Sequence, residues 1–133
     1  MKWRDESIPK MQEAIDMLKT STNAKIYLFG NKNIIKSSID LANAFGRVNG
    51  LNNYASRFRD LNSDRINSVI MNTPQVKFVD MMKLTCPEKD DCNVLTPDLQ
   101  PIFFDQVHLT REGAIFFGDS FKKAITEAGV ITH

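Results

Sequence analysis

The sequence predicts an α/β protein with a small, mostly parallel sheet and flanking helices. Residues 8–18 carry apolar side chains at three- and four-residue steps, and residues 25–30 form a β-rich apolar run that ends at a glycine. A second apolar run, at residues 76–80, follows another stretch with helical periodicity. Parallel strands explain this alternation, because each crossover helix covers a face that its strands leave apolar.

The other elements are predicted from local signals. Residues 37–45 form a short helical candidate, and residues 52–70 follow a longer helical period that we expect to be one helix. A candidate third strand lies at residues 101–104, and Thr110 can cap a helix over residues 111–128. Because self-sufficient sheets usually hold about 4–6 strands, we expect the sheet to be incomplete.

Length and composition are those of a single globular domain over residues 1–133. Hydrophobic residues make up 42% and charged residues 25%, which a disordered chain would not show. Seventeen basic and sixteen acidic residues give a net charge of +1, so nothing indicates nucleic acid or an anionic membrane as a partner. The sequence has no membrane-span run and no signal-peptide core, so we expect any export signal to lie outside this chain.

The two cysteines, Cys86 and Cys92, are separated by five residues in a polar segment. This spacing allows a small disulfide loop, two reduced surface thiols or half of a zinc site. No second Cys/His pair at metal-ligand spacing accompanies them, which argues against zinc, and we expect neither a metal nor another cofactor. The disulfide is the favoured state, and it would indicate an oxidising compartment.

The residues best suited to catalysis are Asp105 and His108, in a short loop before the last predicted helix. They follow the carboxyl end of the candidate third strand, where open α/β sheets bind ligands. An aspartate that accepts a hydrogen bond from His Nδ1 leaves Nε2 free to deprotonate a hydroxyl. Taken alone, the spacing also fits a structural pair at the helix start, or metal binding.

Residues 104–114 read Phe-Asp-x-x-His-Leu-Thr and then Gly-Ala, which resembles the last sequence block of the SGNH hydrolases. In that block the catalytic Asp and His lie three residues apart. More narrowly, the order of a VKFVD strand, a two-cysteine loop and this block resembles the SGNH domains appended to membrane acyltransferases that O-acetylate cell-envelope polysaccharides. The resemblance covers residues 54–128, and residues 8–30 loosely, and it implies an SGNH/flavodoxin-like three-layer sandwich.

The resemblance implies carbohydrate O-acyl transfer or ester hydrolysis, with Asp105 and His108 as catalytic residues. It also implies an acyl donor, a carbohydrate acceptor, an upstream membrane acyltransferase domain and a periplasmic or extracytoplasmic location in a bacterium. The family's nucleophilic serine lies in an early Gly-Asp-Ser block, and a later block supplies an oxyanion-hole glycine; neither precedes Trp3. We therefore expect the C-terminal portion of such a domain, incomplete at its N-terminus and nearly inactive alone.

The residues Gly118, Asp119 and Ser120 spell the same Gly-Asp-Ser motif after the histidine. They lie inside the last helical run, whereas a nucleophilic serine needs a tight strand-to-helix turn that exposes its Oγ to the base. Ten to twelve helical residues extend about 15–18 Å, which would carry Ser120 away from His108. We therefore expect this motif to be a coincidence.

The alternative is a non-catalytic carbohydrate-binding or interaction module. Asp105 and His108 would then only brace their loop, while Tyr54, Phe103 and Phe104 would offer stacking surfaces for a sugar. Under either hypothesis, a sheet that lacks its opening strands exposes an edge and apolar helix faces. We therefore expect the isolated chain to self-associate.

Overall fold

The structure, a computed structural model, describes residues 6–32 and 34–131. These residues form six α-helices, one 3₁₀ turn and two β-strands. In chain order they are α1 (Ser7–Ser21), β1 (Ile26–Phe29), α2 (Ser38–Phe45), α3 (Leu51–Ala55), the 3₁₀ turn (Ser56–Phe58), α4 (Leu61–Met71), β2 (Val76–Val79), α5 (Met82–Thr85) and α6 (Arg111–Glu127). None of the helices in this part of the chain has the length and apolarity needed to cross a membrane.

The strands β1 and β2 form a two-stranded parallel sheet. Ile26 lies opposite Val76 and Phe29 opposite Val79, and the Gly30 amide extends the pairing by donating to the Val79 carbonyl at 2.9 Å. The α/β class, the parallel pairing and the small sheet with flanking helices are confirmed.

The predicted third strand at residues 101–104 is wrong. This segment makes only isolated antiparallel bridges, Pro101 with Leu95 and Phe103 with Leu109. Proline has no N–H to donate to a ladder, and the Phe103 amide donates instead to the buried Ser38 Oγ at 2.9 Å. The segment therefore crosses the end of the core as an irregular loop.

The single helix predicted over residues 52–70 is also wrong, since the chain turns at Arg59 and Asp60 before α4 begins. The Asp60 carboxylate caps α4 by accepting from the Asn62 amide at 3.0 Å, and it also accepts from Ser63 Oγ at 2.8 Å. Arg59 binds both carboxylate oxygens of Asp64, at 2.7 and 2.8 Å. Side-chain capping thus ends one helical segment and begins another, although the helical spacing of apolar residues continues across the break.

The buried core near the predicted site consists of Leu84, Ile102, Phe103 and Phe117. Phe103 is 1% exposed, and its ring centroid lies 6.0 Å from that of Phe117 in α6. Burying a side chain of this kind contributes about 1.5–3 kcal/mol. The irregular segment that leads to Asp105 is therefore anchored to α6 by packing rather than by a strand ladder.

The predicted disulfide between Cys86 and Cys92 is present, with the two Cα atoms 3.9 Å apart. Both half-cystines are buried, at 3% and 0% exposure, in a second core cluster that includes Val94 and Leu95. The alternatives of surface thiols and of a zinc half-site are excluded by this bond. Its presence agrees with an oxidising compartment.

Candidate active site

The loop that joins Phe103 to Leu109 carries both predicted site residues. The bridge between Phe103 and Leu109 closes its base, and the Phe104 amide donates to the His108 carbonyl at 2.9 Å. Asp105 and His108 therefore lie within a short, hairpin-like turn whose two ends are held together by backbone hydrogen bonds.

The Asp105 carboxylate is the hub of this turn. Its Oδ1 accepts from the backbone amides of Val107 at 2.8 Å and His108 at 2.7 Å, which is the local bonding typical of aspartate in turns. Its Oδ2 lies 2.7 Å from His108 Nδ1. The His108 side chain is 75% exposed, and within the described ranges no residue hydrogen bonds to its Nε2. The structure thus brings the two residues together in the orientation that an acid–base pair requires.

Hydrogen bonds lower the pKa of the Asp105 carboxyl from its ordinary 3.8 to about 2. The largest contribution comes from the His108 amide, followed by the His108 ring and then the Val107 amide. Because the folded pKa lies below the unfolded one, the carboxylate stabilises the fold above about pH 4, and that contribution is lost as pH falls through about 2. Asp105 is therefore ionised at neutral pH, as a partner for an imidazolium must be.

Replacing His108 with alanine is expected to raise the Asp105 pKa but to leave it below 3.8, since the two backbone amides remain. Carboxyl ¹³C NMR titration measures this pKa. Val107→Ala is the matched control, because Val107 contributes its amide to Asp105 and not its side chain. A wild-type midpoint near 3.8 would show that the turn does not form in solution.

The start of α6 fixes the loop from the other side. Thr110 Oγ1 accepts from the Gly113 amide at 2.9 Å and donates to the Pro101 carbonyl at 2.7 Å, so the predicted cap at Thr110 is confirmed. A Cβ at Gly113 would lie 2.1 Å from the Ile102 carbonyl oxygen. Only glycine allows the helix to approach the segment before the loop this closely.

Two residues of the site were not predicted. Lys32 Nζ donates to the Val107 carbonyl, and Gln106 Nε2 donates to the Ile35 carbonyl at 2.9 Å. Both contacts tie the loop to the segment that follows β1. The position of Lys32 just past a strand's carboxyl end was the one signal that could have pointed to it.

None of the eight serines of the chain, all of which the structure describes, hydrogen bonds to His108. Ser38 is bound to the Phe103 amide, but it is 0% exposed and closed to a substrate. Ser120 lies inside α6, ten residues beyond Thr110, a helical distance of about 15 Å. The expectation that the Gly-Asp-Ser triplet lies on a helix is confirmed.

An open cleft of about 1120 Å³ lies between the Cys86–Cys92 loop and α4. Its walls include the Arg59–Asp64 ion pair, Asp80 and Lys83. Ile35 also lines it, and its carbonyl accepts from Gln106, so the cleft adjoins the loop that carries Asp105 and His108.

In the part of the chain that the structure describes, no group of three or more His, Cys, Asp or Glu side chains is arranged to hold a metal ion.

The aromatic residues of the alternative hypothesis are not equivalent. Phe103 is buried and cannot stack on a ligand. Tyr54 packs edge-on between Phe45 and Phe58, with centroid distances of 4.8 and 5.7 Å. Phe104 alone of the three is largely exposed, at 65%. The stacking surface expected from these three residues is therefore not formed.

Comparison with known families identifies the chain. Residues 2–123 match the family model described as "SGNH domain (fused to AT3 domains)". Searches of curated proteins and of solved structures gave no match. The matched range includes the Asp105–His108 turn and both cysteines. The chain therefore belongs to the SGNH domains that occur fused to AT3 acyltransferase domains.

Proposed function

We propose that His108 is the general base and acid, and Asp105 its orienting acid, in O-acyl transfer to or from a carbohydrate hydroxyl. The observation that carries this proposal is the 2.7 Å contact between His108 Nδ1 and Asp105 Oδ2, which directs Nε2 away from Asp105 and leaves it exposed. Membership of the SGNH family supports acyl chemistry in general. The exposed ring and the ionised carboxylate support the roles of the two residues.

In the proposed reaction, Nε2 of His108 takes the proton of a serine hydroxyl as its Oγ attacks the acyl carbonyl. The imidazolium, stabilised by Asp105, then returns that proton to the departing oxygen, and an acyl-serine remains. In the second half, Nε2 deprotonates a carbohydrate hydroxyl, which attacks the acyl-serine. The proton returns to the serine Oγ as the new ester is released. Water in place of the carbohydrate gives hydrolysis by the same steps.

We propose that the nucleophilic serine belongs to polypeptide outside these 133 residues, so that this chain is the C-terminal part of its domain. Ser38 is sealed in the core and Ser120 is displaced along α6, which supports an external nucleophile. Without that serine and its oxyanion donors, His108 has no hydroxyl to activate, and the chain alone should be nearly inactive.

We place the active complex on the extracytoplasmic, periplasmic face of a bacterial inner membrane, with an AT3 domain as partner. The disulfide and the family support this location. The acceptor is proposed to be a cell-envelope polysaccharide bound in the 1120 Å³ cleft, where charged side chains such as Arg59, Asp80 and Lys83 can hydrogen bond to hydroxyl groups. The edge of β1 that faces away from β2 has backbone groups that another strand could pair with. We propose that upstream chain adds a strand there in the full protein, and that the isolated chain self-associates. Light scattering measures that self-association.

Turnover of p-nitrophenyl acetate tests the function. We expect this chain to be close to the buffer rate, and a version extended upstream to include the Gly-Asp-Ser block to be active. Activity in the short chain that disappears in Ser120→Ala would contradict an external nucleophile. Silence in both would favour the non-catalytic carbohydrate-binding module instead.

A further inference from the structure

Lys32 follows the carboxyl end of β1, where the backbone is held on both sides. The Asn67 side chain of α4 accepts from the Asn31 amide at 2.6 Å and donates to the Asn31 carbonyl at 2.8 Å. At Gly30, a Cβ would lie 2.7 Å from Phe78 Cε2. These contacts with α4 and β2 fix the backbone of residues 30 and 31, and they therefore set the position of the Lys32 backbone.

The Lys32 ammonium lies against the loop that carries the acid–base pair. Nζ donates to the Val107 carbonyl at 2.5 Å and lies 5.7 Å from the ring centroid of the buried Phe103. Burial lowers the pKa of Lys32, and the negative charge of Asp105 opposes that change. A partly buried cation is thus held by a carbonyl, an aromatic face and a nearby carboxylate.

The carbonyl that Lys32 binds belongs to the peptide unit between Val107 and His108. The N–H of the same unit donates to Asp105 Oδ1 at 2.7 Å. Rotation of this peptide would therefore break two hydrogen bonds, one at each end. Donation to the carbonyl also polarises the amide and strengthens its N–H as a donor, because hydrogen bonds in a chain reinforce one another.

We propose that Lys32 is a positioning residue for the Asp105–His108 pair, acting through the Val107–His108 peptide that it holds in place. The inference rests on the proposed function, since the orientation of His108 matters for chemistry only if the ring is the base. Lys32 makes no hydrogen bond to the carboxylate or the ring, so beyond the direct attraction between its charge and Asp105 its effect is transmitted by the peptide.

Lys32→Met in the 133-residue chain tests the proposal, because methionine keeps much of the side-chain length and removes the donor and the charge. We expect the Asp105 pKa, measured by ¹³C NMR, to rise from about 2 by roughly half a unit or more, because the loosened peptide weakens its hydrogen bond and the positive charge near Asp105 is lost. Lys32→Arg should keep the low value, and Lys36→Met, at an exposed lysine nearby, should not change it. An unchanged Asp105 pKa in Lys32→Met overturns the proposal.

Kinetics of the upstream-extended protein separate this proposal from the proposed function. Lys32→Met should lower kcat several-fold with little change in KM, and Lys32→Arg should recover most of it. If the extended wild type shows no turnover while the Asp105 pKa rises in Lys32→Met and the Val107 carbonyl shift follows the titration of Lys32, positioning holds and the catalytic function fails. If the wild type is active and Lys32→Met changes neither kcat nor the pKa, the role of Lys32 fails alone.

A measurement on the wild type remains decisive if Lys32→Met does not fold. The ¹³C shift of the Val107 carbonyl should follow the titration of Lys32 Nζ at alkaline pH, because deprotonation weakens the hydrogen bond between them. A Val107 carbonyl that does not respond to that titration overturns the proposal.

Discussion

Replacing His108 with alanine in the upstream-extended protein is expected to lower the rate of acetyl ester turnover about 10²- to 10⁴-fold, the range that a general base contributes. The cause is loss of Nε2 as proton acceptor, since Asp105 is ionised and lies behind the ring at Nδ1. The measurement is kcat/KM for p-nitrophenyl acetate. Asp105→Asn should also lower the rate, because an amide cannot stabilise the imidazolium in the same way.

The folding of the His108→Ala protein decides between the enzyme and the structural pair. The His108 side chain is 75% exposed, so its removal should lower the melting temperature only slightly, through loss of the exposed hydrogen bond between the ring and Asp105. Lys36→Ala is a control on the same protein, and it should alter neither quantity. A His108→Ala protein that keeps its rate but melts at a clearly lower temperature would show that the pair only braces the loop.

Gly113→Ala is expected to destabilise the chain by about 1–3 kcal/mol or more, the cost of overpacking a close contact. The added Cβ would lie 2.1 Å from the carbonyl oxygen and 2.9 Å from the carbonyl carbon of Ile102, a residue that is 0% exposed. These are backbone atoms, so relief requires α6 to move away from the segment before the loop. In the extended protein the same shift should lower kcat. Thr110, at the start of α6, hydrogen bonds to the segment before the loop, so a movement of α6 would also displace the Asp105–His108 turn.

Gly118→Ala is the matched control in the same helix. A Cβ at Gly118 has nothing within 4 Å, so alanine should add its helix propensity without a clash and stabilise the chain by up to about 1 kcal/mol. Urea denaturation of the two variants measures both effects. Equal changes in the free energy of unfolding would mean that α6 does not pack on Ile102 as described.

The predictions that held depend on neighbours in the sequence. Asp105 and His108 are three residues apart and meet in a turn in which the Val107 and His108 amides donate to Asp105, and Thr110 caps the helix that begins one residue later. The disulfide also closes over a separation of six. Such contacts follow from local conformation, so residue type and spacing favoured them, although spacing alone left other interpretations open for both pairs.

The predictions that failed concern choices between competing partners. The segment at residues 101–104 has the apolar composition of a strand, but its Phe103 amide is bound by Ser38, a residue 65 positions away. The helical period at residues 52–70 continues through a break that Arg59 and Asp60 impose with side-chain hydrogen bonds. Periodicity shows only which residues are apolar, so it cannot predict these side-chain hydrogen bonds.

By itself the sequence determined the α/β class, the Asp105–His108 turn, the helix that follows it and the pairing of the two cysteines as the favoured state. Only the tertiary structure decided that two long-range hydrogen bonds hold this turn. Lys32 donates to Val107, 75 residues away in the sequence, and Gln106 donates to Ile35, 71 residues away. It also decided that Phe103 is buried beneath the site and that Gly113 lets α6 approach Ile102. The physical reason is that local turns and caps are encoded within a few residues, whereas long-range contacts depend on where the packed core brings distant side chains.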